Sequence, residues 1–209
     1  MSFRKSASAA ALAAGIVLLL AGCGAGRPIK YYSLDPPAVT PAPQKLDVSL
    51  LIGRFRAPTL YRDTRIVYRT GANEMGLYEE HRWVEAPAQM VEEMLLESLR
   101  KGGRYKSVQP VSSNAQGDYI VRGRIERFEQ VEGKPITARV WLRMSLYDPK
   151  TGETVWAHVY EHDEGAAGAD LDSIVAALSK NVQSGVLELC AGIDQYLAEH
   201  PRPPAAPAK

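Results

Sequence analysis

The chain has 209 residues and a formal net charge of +1, from 25 lysines and arginines against 24 aspartates and glutamates. This near balance gives no support to a nucleic-acid partner, because proteins that bind nucleic acids concentrate positive charge. The length fits one domain of ordinary size or, less readily, two small ones.

The N-terminus has the pattern of a secretory signal. Arg4 and Lys5 precede an apolar stretch, residues 9–20, that is too short to span a bilayer comfortably. The stretch ends in LAGC at residues 20–23, which matches the lipobox of bacterial lipoproteins. The alternative is an ordinary signal peptide that contains a cysteine by chance. The match predicts that residues 1–22 are removed and that the Cys23 thiol is acylated.

Acylation at Cys23 would hold the folded body close to a membrane. Residues 23–29 form a tether, and the chain from Cys23 to Lys30 spans at most about 25 Å when fully extended. The residue after the cysteine is Gly24 and not an aspartate, as in lipoproteins that are sent to the outer membrane. This favours a position at the periplasmic face of the outer membrane. We therefore expect a domain that works at a lipid surface, held there by several acyl chains.

Strands alternate with turns through the first half of the folded part. Apolar alternation predicts strands over residues 31–34, 46–53, 64–69 and 75–83. The prolines between residues 36 and 43 exclude a regular sheet interior there. Pro87 then opens a helix with a buried stripe, which Gly102 and Gly103 end.

The second half repeats strands followed by a helix. Strands are predicted over residues 106–111, 119–125, 136–146 and 155–159, with the last two joined by a hairpin turn at 148–152. We expect Val155, Ala157 and Val159 to form the inner face of the last strand. From Asp170 the apolar spacing becomes helical and continues to His200. Residues 201–209 are predicted to be a disordered Pro/Ala tail.

This element order predicts an α+β fold over residues 30–200. We expect a single domain with a mostly antiparallel sheet and two main helices packed on one face. Parallel βαβ order is the weaker alternative, because hairpin signals dominate the second half.

Catalytic and metal-binding patterns are weak. His158 and His162 are four residues apart on a strand, roughly 13 Å from each other, so a polar strand end is a better interpretation than a metal site. Cys190 falls on the buried stripe of the last helix and is interpreted as a small core residue. No nucleophile elbow or phosphate-binding glycine loop occurs in the sequence. We therefore predict a protein that is not an enzyme and needs no metal or cofactor.

The second hairpin predicts a candidate interface. Arg139, Trp141 and Arg143 alternate with core residues on one strand, as do Trp156 and Tyr160 on the next. If helices cover one side of the sheet, we expect these five side chains to share the open side, and Tyr, Trp and Arg are enriched in binding hot spots. The alternatives are cross-strand pairing that stiffens the sheet, or a cover formed by the proline-rich segment.

The loop between residues 54 and 65 is a second candidate interface. It places Arg56 and Arg62 around Leu60 and Tyr61, and three further arginines lie at residues 54, 65 and 69. Such a loop suits lipid headgroups or an acidic partner. The alternative is a solvated loop without a partner.

Several short motifs in a fixed order resemble a known family. After the LAGC motif come YYSL at residues 31–34, P-x-L at 58–60 leading to RIVYR at 65–69, and RWVEAP at 82–87. This order is similar to that of the ABC-type transport auxiliary lipoproteins, which accompany bacterial MCE (mammalian cell entry) lipid-transport systems and include the paraquat-inducible membrane-integrity lipoprotein. Many relatives carry a smaller residue where Val84 stands here.

The resemblance implies a non-catalytic lipoprotein of the outer membrane with Cys23 as its lipidated residue. It implies docking to the periplasm-spanning MCE protein of an ABC transport complex that moves phospholipid between membranes and supports envelope integrity. It also leaves direct phospholipid binding and a homo-oligomer open. The alternative function is a structural envelope lipoprotein, of assembly or Tol-like type, with no part in lipid traffic.

Overall fold

The computed structural model describes residues 27–201. The predicted signal peptide, the lipidation site Cys23 and residues 202–209 of the predicted tail lie outside the described residues. Strands are β1 (Lys30–Tyr32), β2 (Leu46–Ile52), β3 (Arg65–Arg69), β4 (Met75–Trp83), β5 (Tyr105–Pro110), β6 (Tyr119–Val131), β7 (Thr137–Asp148) and β8 (Glu153–Gly165). Helices are α1 (Pro87–Gly102) and α2 (Leu171–Glu199), and short 3-10 helices cover Thr59–Arg62 and Val111–Ser113.

The ends of both helices confirm the predictions made from local signals. Pro87 is the first residue of α1, where no backbone N–H is needed. Gly103 follows α1 with a φ of 62° and donates its N–H to the Arg100 carbonyl at 3.0 Å. Asp170 caps α2, since its carboxylate accepts the Ser173 N–H at 2.9 Å.

Strand β6 lies at the centre of one eight-stranded mixed sheet. Along one edge it pairs with β7 in antiparallel fashion, and β8 extends the sheet beyond β7. Its other edge is shared, because β2 pairs in parallel with residues 119–121 and β3 pairs in parallel with residues 130–131. β5 lies beside β2, while β4 and then β1 lie beyond β3.

The expectation of a mostly antiparallel sheet is wrong. β1 pairs in parallel with β4, and β2 pairs in parallel with both β5 and β6, as does β3 with β6. The antiparallel pairs are β3–β4, β6–β7 and β7–β8. Hairpins have local turn signals, whereas the parallel partners are separated by long stretches of chain and leave none. The α+β class and the single sheet with two helices hold.

Both helices cover the same face of the sheet. Phe55 packs over Gly123 of β6 on the side of α1, where its backbone N–H donates to Glu92 at 2.7 Å. Tyr160 of β8 donates its hydroxyl to Asn181 of α2 at 2.7 Å. The strand register places both contacts on the same face of the sheet. Gly123 is opposite Met144 and Tyr160 is opposite Leu142, and these two partners are two residues apart on β7, so their side chains point to the same side. The core therefore lies between this face and the two helices.

The proline-rich segment crosses the helices rather than the open face of the sheet. The Asp35 N–H donates to Ser179 Oγ of α2 at 2.9 Å, and Gln183 donates to the Asp35 carbonyl at 3.0 Å. Further along, the Ala42 N–H donates to the Gly102 carbonyl of α1 at 2.8 Å. The alternative in which the proline-rich segment covers the open face of the sheet is therefore wrong.

Packing of Phe55 on Gly123 gives a stability prediction. A Cβ at residue 123 would lie 2.2 Å from Phe55 Cζ, so Gly123→Ala must displace a ring that is only 9% exposed. We expect the free energy of unfolding, measured by urea denaturation, to fall by about 1–3 kcal/mol. Gly71→Ala is the control, because a Cβ there meets nothing within 4 Å. An unchanged midpoint for Gly123→Ala would contradict this packing.

Candidate docking surfaces

The two tryptophans of the second hairpin lie on opposite faces of the sheet. Trp156 is opposite Leu146 and Tyr160 is opposite Leu142, so both share the helix-covered face with these core residues. Trp141 alternates with that face and lies on the open side. The prediction that Trp156 and Tyr160 share the open side with Trp141 is therefore wrong.

A register shift next to the turn explains the error. Tyr147 pairs with Thr154, but the residue before it on β7, Leu146, pairs with Trp156. Val155 is therefore an extra residue on β8 without a partner in the register. One extra residue moves every following side chain to the other face of the sheet. Accordingly Val159, expected in the core, is 39% exposed, while Tyr160 is only 6% exposed.

Trp156 lies in a groove between β8 and α2, which we call the Trp156 groove. Its cavity of about 440 Å³ is lined by Trp156, His158, Glu188, Ala191, Gly192, Gln195, Tyr196 and Glu199. The Trp156 ring packs on Gly192 and stacks with His158 at 6.0 Å between centroids. His158 in turn contacts the Glu188 carboxylate at 2.7 Å. The groove is thus a half-buried aromatic surface with acidic side chains at its margin.

Arginines dominate part of the open face of the sheet. We define the arginine face as Arg54, Arg56, Arg122, Arg124 and Arg143, all of which are exposed. These five side chains line one cavity of about 680 Å³. The cavity lies where the segment after β2 runs beside β6. Two hydrogen bonds hold the segment there: the Arg56 N–H donates to the Gly123 carbonyl at 3.0 Å, and the Ile125 N–H donates to the Arg56 carbonyl at 2.8 Å.

Few carboxylates neutralise the arginine face. Glu126 lies 3.1 Å from Arg124 Nε and 3.4 Å from Arg143 Nε. Arg122 stacks its guanidinium 3.6 Å above the Tyr147 ring. Within residues 27–201, no carboxylate forms an ion pair with Arg54, Arg56 or Arg122. The face therefore carries an excess of positive charge on a protein that is nearly neutral overall.

Trp141 and Arg139 are engaged within the sheet. Arg139 makes a bidentate contact with Asp163 of β8, with distances of 2.8 and 2.6 Å, and these hydrogen bonds lower the pKa of the Asp163 carboxyl. The guanidinium groups of Arg139 and Arg127 each lie 5.5 Å from the Trp141 ring. Arg139 therefore stabilises the sheet by cross-strand pairing, as the alternative to an interface predicts. Arg143 instead faces solvent.

The loop candidates separate into buried and exposed residues. Tyr61 is 2% exposed, and its hydroxyl donates to the buried Glu129 at 2.5 Å. Leu60 is half-buried against the core. Arg62 is exposed and donates to Thr59 at 2.8 Å, whereas Arg54 and Arg56 join the arginine face. The expectation that Tyr61 lies on an interaction surface is therefore wrong.

A buried ionic group holds this loop to the sheet. Arg69 Nε donates to Glu129 at 2.7 Å, on the carboxylate that also accepts the Tyr61 hydroxyl. Burial and the Glu129 carboxylate raise the pKa of Tyr61 far above its ordinary value, so the phenol remains the donor at neutral pH. Because Glu129 is fully buried, these two partners supply the hydrogen bonds that water would otherwise provide.

Sequence reasoning missed Arg122, Arg124 and Glu129. A signal for the two arginines is visible, since they alternate with the buried Val121 and Ile125 on β6. Glu129 has no such signal, because a glutamate on a strand is ordinarily solvated. Its burial depends on Tyr61 and Arg69, which lie 60 or more residues earlier in the chain.

The sequence offers histidines and Cys190 as weak candidates for a metal site and a reactive thiol. Among residues 27–201, no group of three or more His, Cys, Asp or Glu is arranged to hold a metal ion. Burial raises the pKa of Cys190 to about 12, so its thiol is protonated at neutral pH. None of the helices in this part of the chain combines the length and the apolar character needed to span a membrane.

Comparison with known proteins identifies similar sequences and folds. Residues 32–189 match the family model described as the ABC-type transport auxiliary lipoprotein component. The fold is similar to that of protein XCC0632 from Xanthomonas campestris, with a TM-score of 0.74 and 19% identity over 82% of this chain and 97% of that chain. It is also similar to that of the hypothetical protein CT253 from Chlamydia trachomatis, with a TM-score of 0.53 and 10% identity over 73% of this chain and 99% of that chain. No curated protein sequence matches the chain.

Removal of Arg69 tests the buried ionic group. In Arg69→Met the Glu129 carboxylate would stay buried without its cationic partner, so we expect the free energy of unfolding to fall by about 3–5 kcal/mol. Urea denaturation at neutral pH measures this loss. Arg62→Met is the matched control, because Arg62 is exposed and its effect should stay within about 0.5 kcal/mol. Equal effects of the two substitutions would argue against a structural role for the buried group.

Proposed function

Because the chain belongs to the family of ABC-type transport auxiliary lipoprotein components, we propose that it is a lipid-anchored, non-enzymatic subunit of an ABC transport system of MCE type. In this role it docks to the periplasm-spanning MCE protein of a complex that moves phospholipid between membranes, and so supports envelope integrity. The observation that carries this proposal is the family match over residues 32–189, preceded by the LAGC motif at residues 20–23.

Anchor geometry supports a position close to a membrane, and Gly24 after the cysteine favours the outer membrane. An acylated Cys23 and a tether of at most about 25 Å keep the domain within a short distance of the lipid headgroups. A folded body held at one membrane can receive a protein that arrives from the other membrane. Surfaces of the domain, rather than a catalytic centre, then carry the function.

The Trp156 groove is the proposed docking surface for the protein partner. It offers the half-buried rings of Trp156 and Tyr196 in a cavity of about 440 Å³. Aromatic side chains in partly desolvated pockets supply a large share of the binding energy at protein interfaces. The groove lies on the helical layer, away from the arginine face, so the two surfaces can be occupied at the same time.

Site-specific photo-crosslinking in intact cells tests this docking. A photoreactive residue at Gln195, an exposed position in the groove, should crosslink to the MCE protein. Trp156→Ala should reduce this crosslink at least tenfold if Trp156 is a hot spot worth about 2 kcal/mol. Trp141→Ala is the matched control, because it removes a tryptophan from the opposite face and should leave the crosslink unchanged.

A second position on the same helix controls for general proximity. Ala176 is exposed on α2 and lies about 28 Å from Gln195 along the helix, so a photoreactive residue there should not give this crosslink. Crosslinks from Gln195 that run only to peptidoglycan or to outer-membrane barrels would contradict the proposal. They would favour a structural envelope lipoprotein without a part in lipid traffic.

A further inference from the structure

We propose that the arginine face is a membrane-contact surface that binds the phosphate groups of anionic phospholipid in the bilayer to which the protein is anchored. The inference rests on the lipid anchor of the proposed function and is independent of the transport role. It assigns the open side of the sheet to the bilayer and leaves the helical layer free for a protein partner.

The positive charge of the arginine face is largely uncompensated. Arg54, Arg56 and Arg122 have no ion-pair partner within residues 27–201, and Arg124 and Arg143 share the single carboxylate of Glu126. Guanidinium groups match phosphate in bidentate geometry and remain charged at every physiological pH. Five such groups around one cavity of about 680 Å³ therefore fit a surface of phosphates rather than an apolar ligand.

The arginine face lies within reach of the lipid anchor. β1 begins at Lys30, and three strand spacings of about 4.8 Å separate β1 from β6, which carries Arg122 and Arg124. By register Lys30 is level with about Phe128 of β6, so Arg124 lies about 13 Å and Arg122 about 20 Å further along that strand. Together with the lateral offset of about 14 Å, this places the two arginines about 20 and 25 Å from Lys30, which a fully extended tether of about 25 Å can span. The acylated N-terminus and the arginine face can therefore contact one bilayer at the same time.

The character of the face favours lipid headgroups over a protein partner. Its aromatic neighbour Tyr147 is covered by the Arg122 guanidinium, and the Trp141 ring has the guanidinium groups of Arg127 and Arg139 each 5.5 Å from its centroid. Stable protein interfaces usually have an apolar centre, from which charged residues are depleted. A bilayer surface needs no such centre, since its attraction for basic residues is electrostatic and adds up over the separate charges.

Vesicle flotation tests the inference on the protein without its acyl chains. The chain from residue 23 onward carries Cys23→Ser, and it retains every described strand and helix, since these lie between Lys30 and Glu199. We expect it to float with phosphatidylcholine vesicles that contain phosphatidylglycerol, and not with vesicles of phosphatidylcholine alone. High salt should release it, because the attraction is screened.

Two triple variants with equal loss of charge separate a specific surface from net charge. The combination of Arg54→Gln, Arg56→Gln and Arg122→Gln should lower the partition coefficient onto anionic vesicles about a hundredfold, at about fivefold for each arginine. The control combines Lys45→Gln, Lys134→Gln and Lys150→Gln, three exposed positions outside the arginine face, and should keep most of the binding. Circular dichroism checks that both variants are folded.

Three results would overturn the inference. The first is failure of the parent protein to float with anionic vesicles, and the second is an equal loss of binding in both triple variants. The third is an arginine variant that still binds vesicles but loses crosslinks to an acidic protein, which would assign the face to a protein partner. Failure here leaves the crosslink from Gln195 to the MCE protein intact, so the two proposals fail independently.

Discussion

Strand β6 makes the pairings on which the rest of the sheet depends. β7 occupies one edge, while β2 and β3 occupy separate parts of the other edge, with the Arg56 bridge between them. Because alternate residues of a strand point to opposite sides, burial of Val121 and Ile125 under the helices directs Arg122 and Arg124 to the open side. One register thus determines both the core and the charged surface.

The two layers of the domain differ in chemistry as a result. The helical layer carries the Trp156 groove with its aromatic rings and the Glu188 and Glu199 carboxylates. The open side of the sheet carries the arginine face, which the Glu126 carboxylate neutralises only in part. A chain whose formal net charge is only +1 can therefore present surfaces of opposite character in opposite directions. Such segregation suits the proposed placement of the domain between a bilayer and a protein partner.

Features encoded locally could be predicted from the sequence, and features set by distant contacts could not. Pro87, Gly103 and Asp170 define helix ends through their own backbone and side-chain chemistry, so α1 and α2 were predictable. The mixed sheet was not, because parallel partners are joined by no turn signal. Val155 shows the same limit on a smaller scale, since one extra residue beside a correctly predicted turn reversed the faces of β8.

The candidate surfaces follow the same division. Arg56 and Arg143 were identified from composition and alternation, and both lie on the arginine face. Tyr61 was misplaced because its burial depends on Glu129, 68 residues away, and on the Arg69 guanidinium. Arg122 and Arg124 alternate visibly with core residues on β6, but whether they lie on the open face depends on which face the helices cover. Sequence patterns therefore locate strands and charges, whereas the assembled sheet decides which charges meet.

The central claim is that this domain acts through surfaces held at a bilayer by acylation of Cys23. The most direct measurement follows a protein with Cys23→Ser, exported by a signal peptide that is cleaved without acylation, in cells that lack the natural copy. After a high-salt wash of the membranes, which releases binding through the arginine face, our account predicts recovery in the soluble fraction and loss of envelope integrity, measured as increased sensitivity to detergent. Retention in the membrane fraction with full envelope integrity would contradict it.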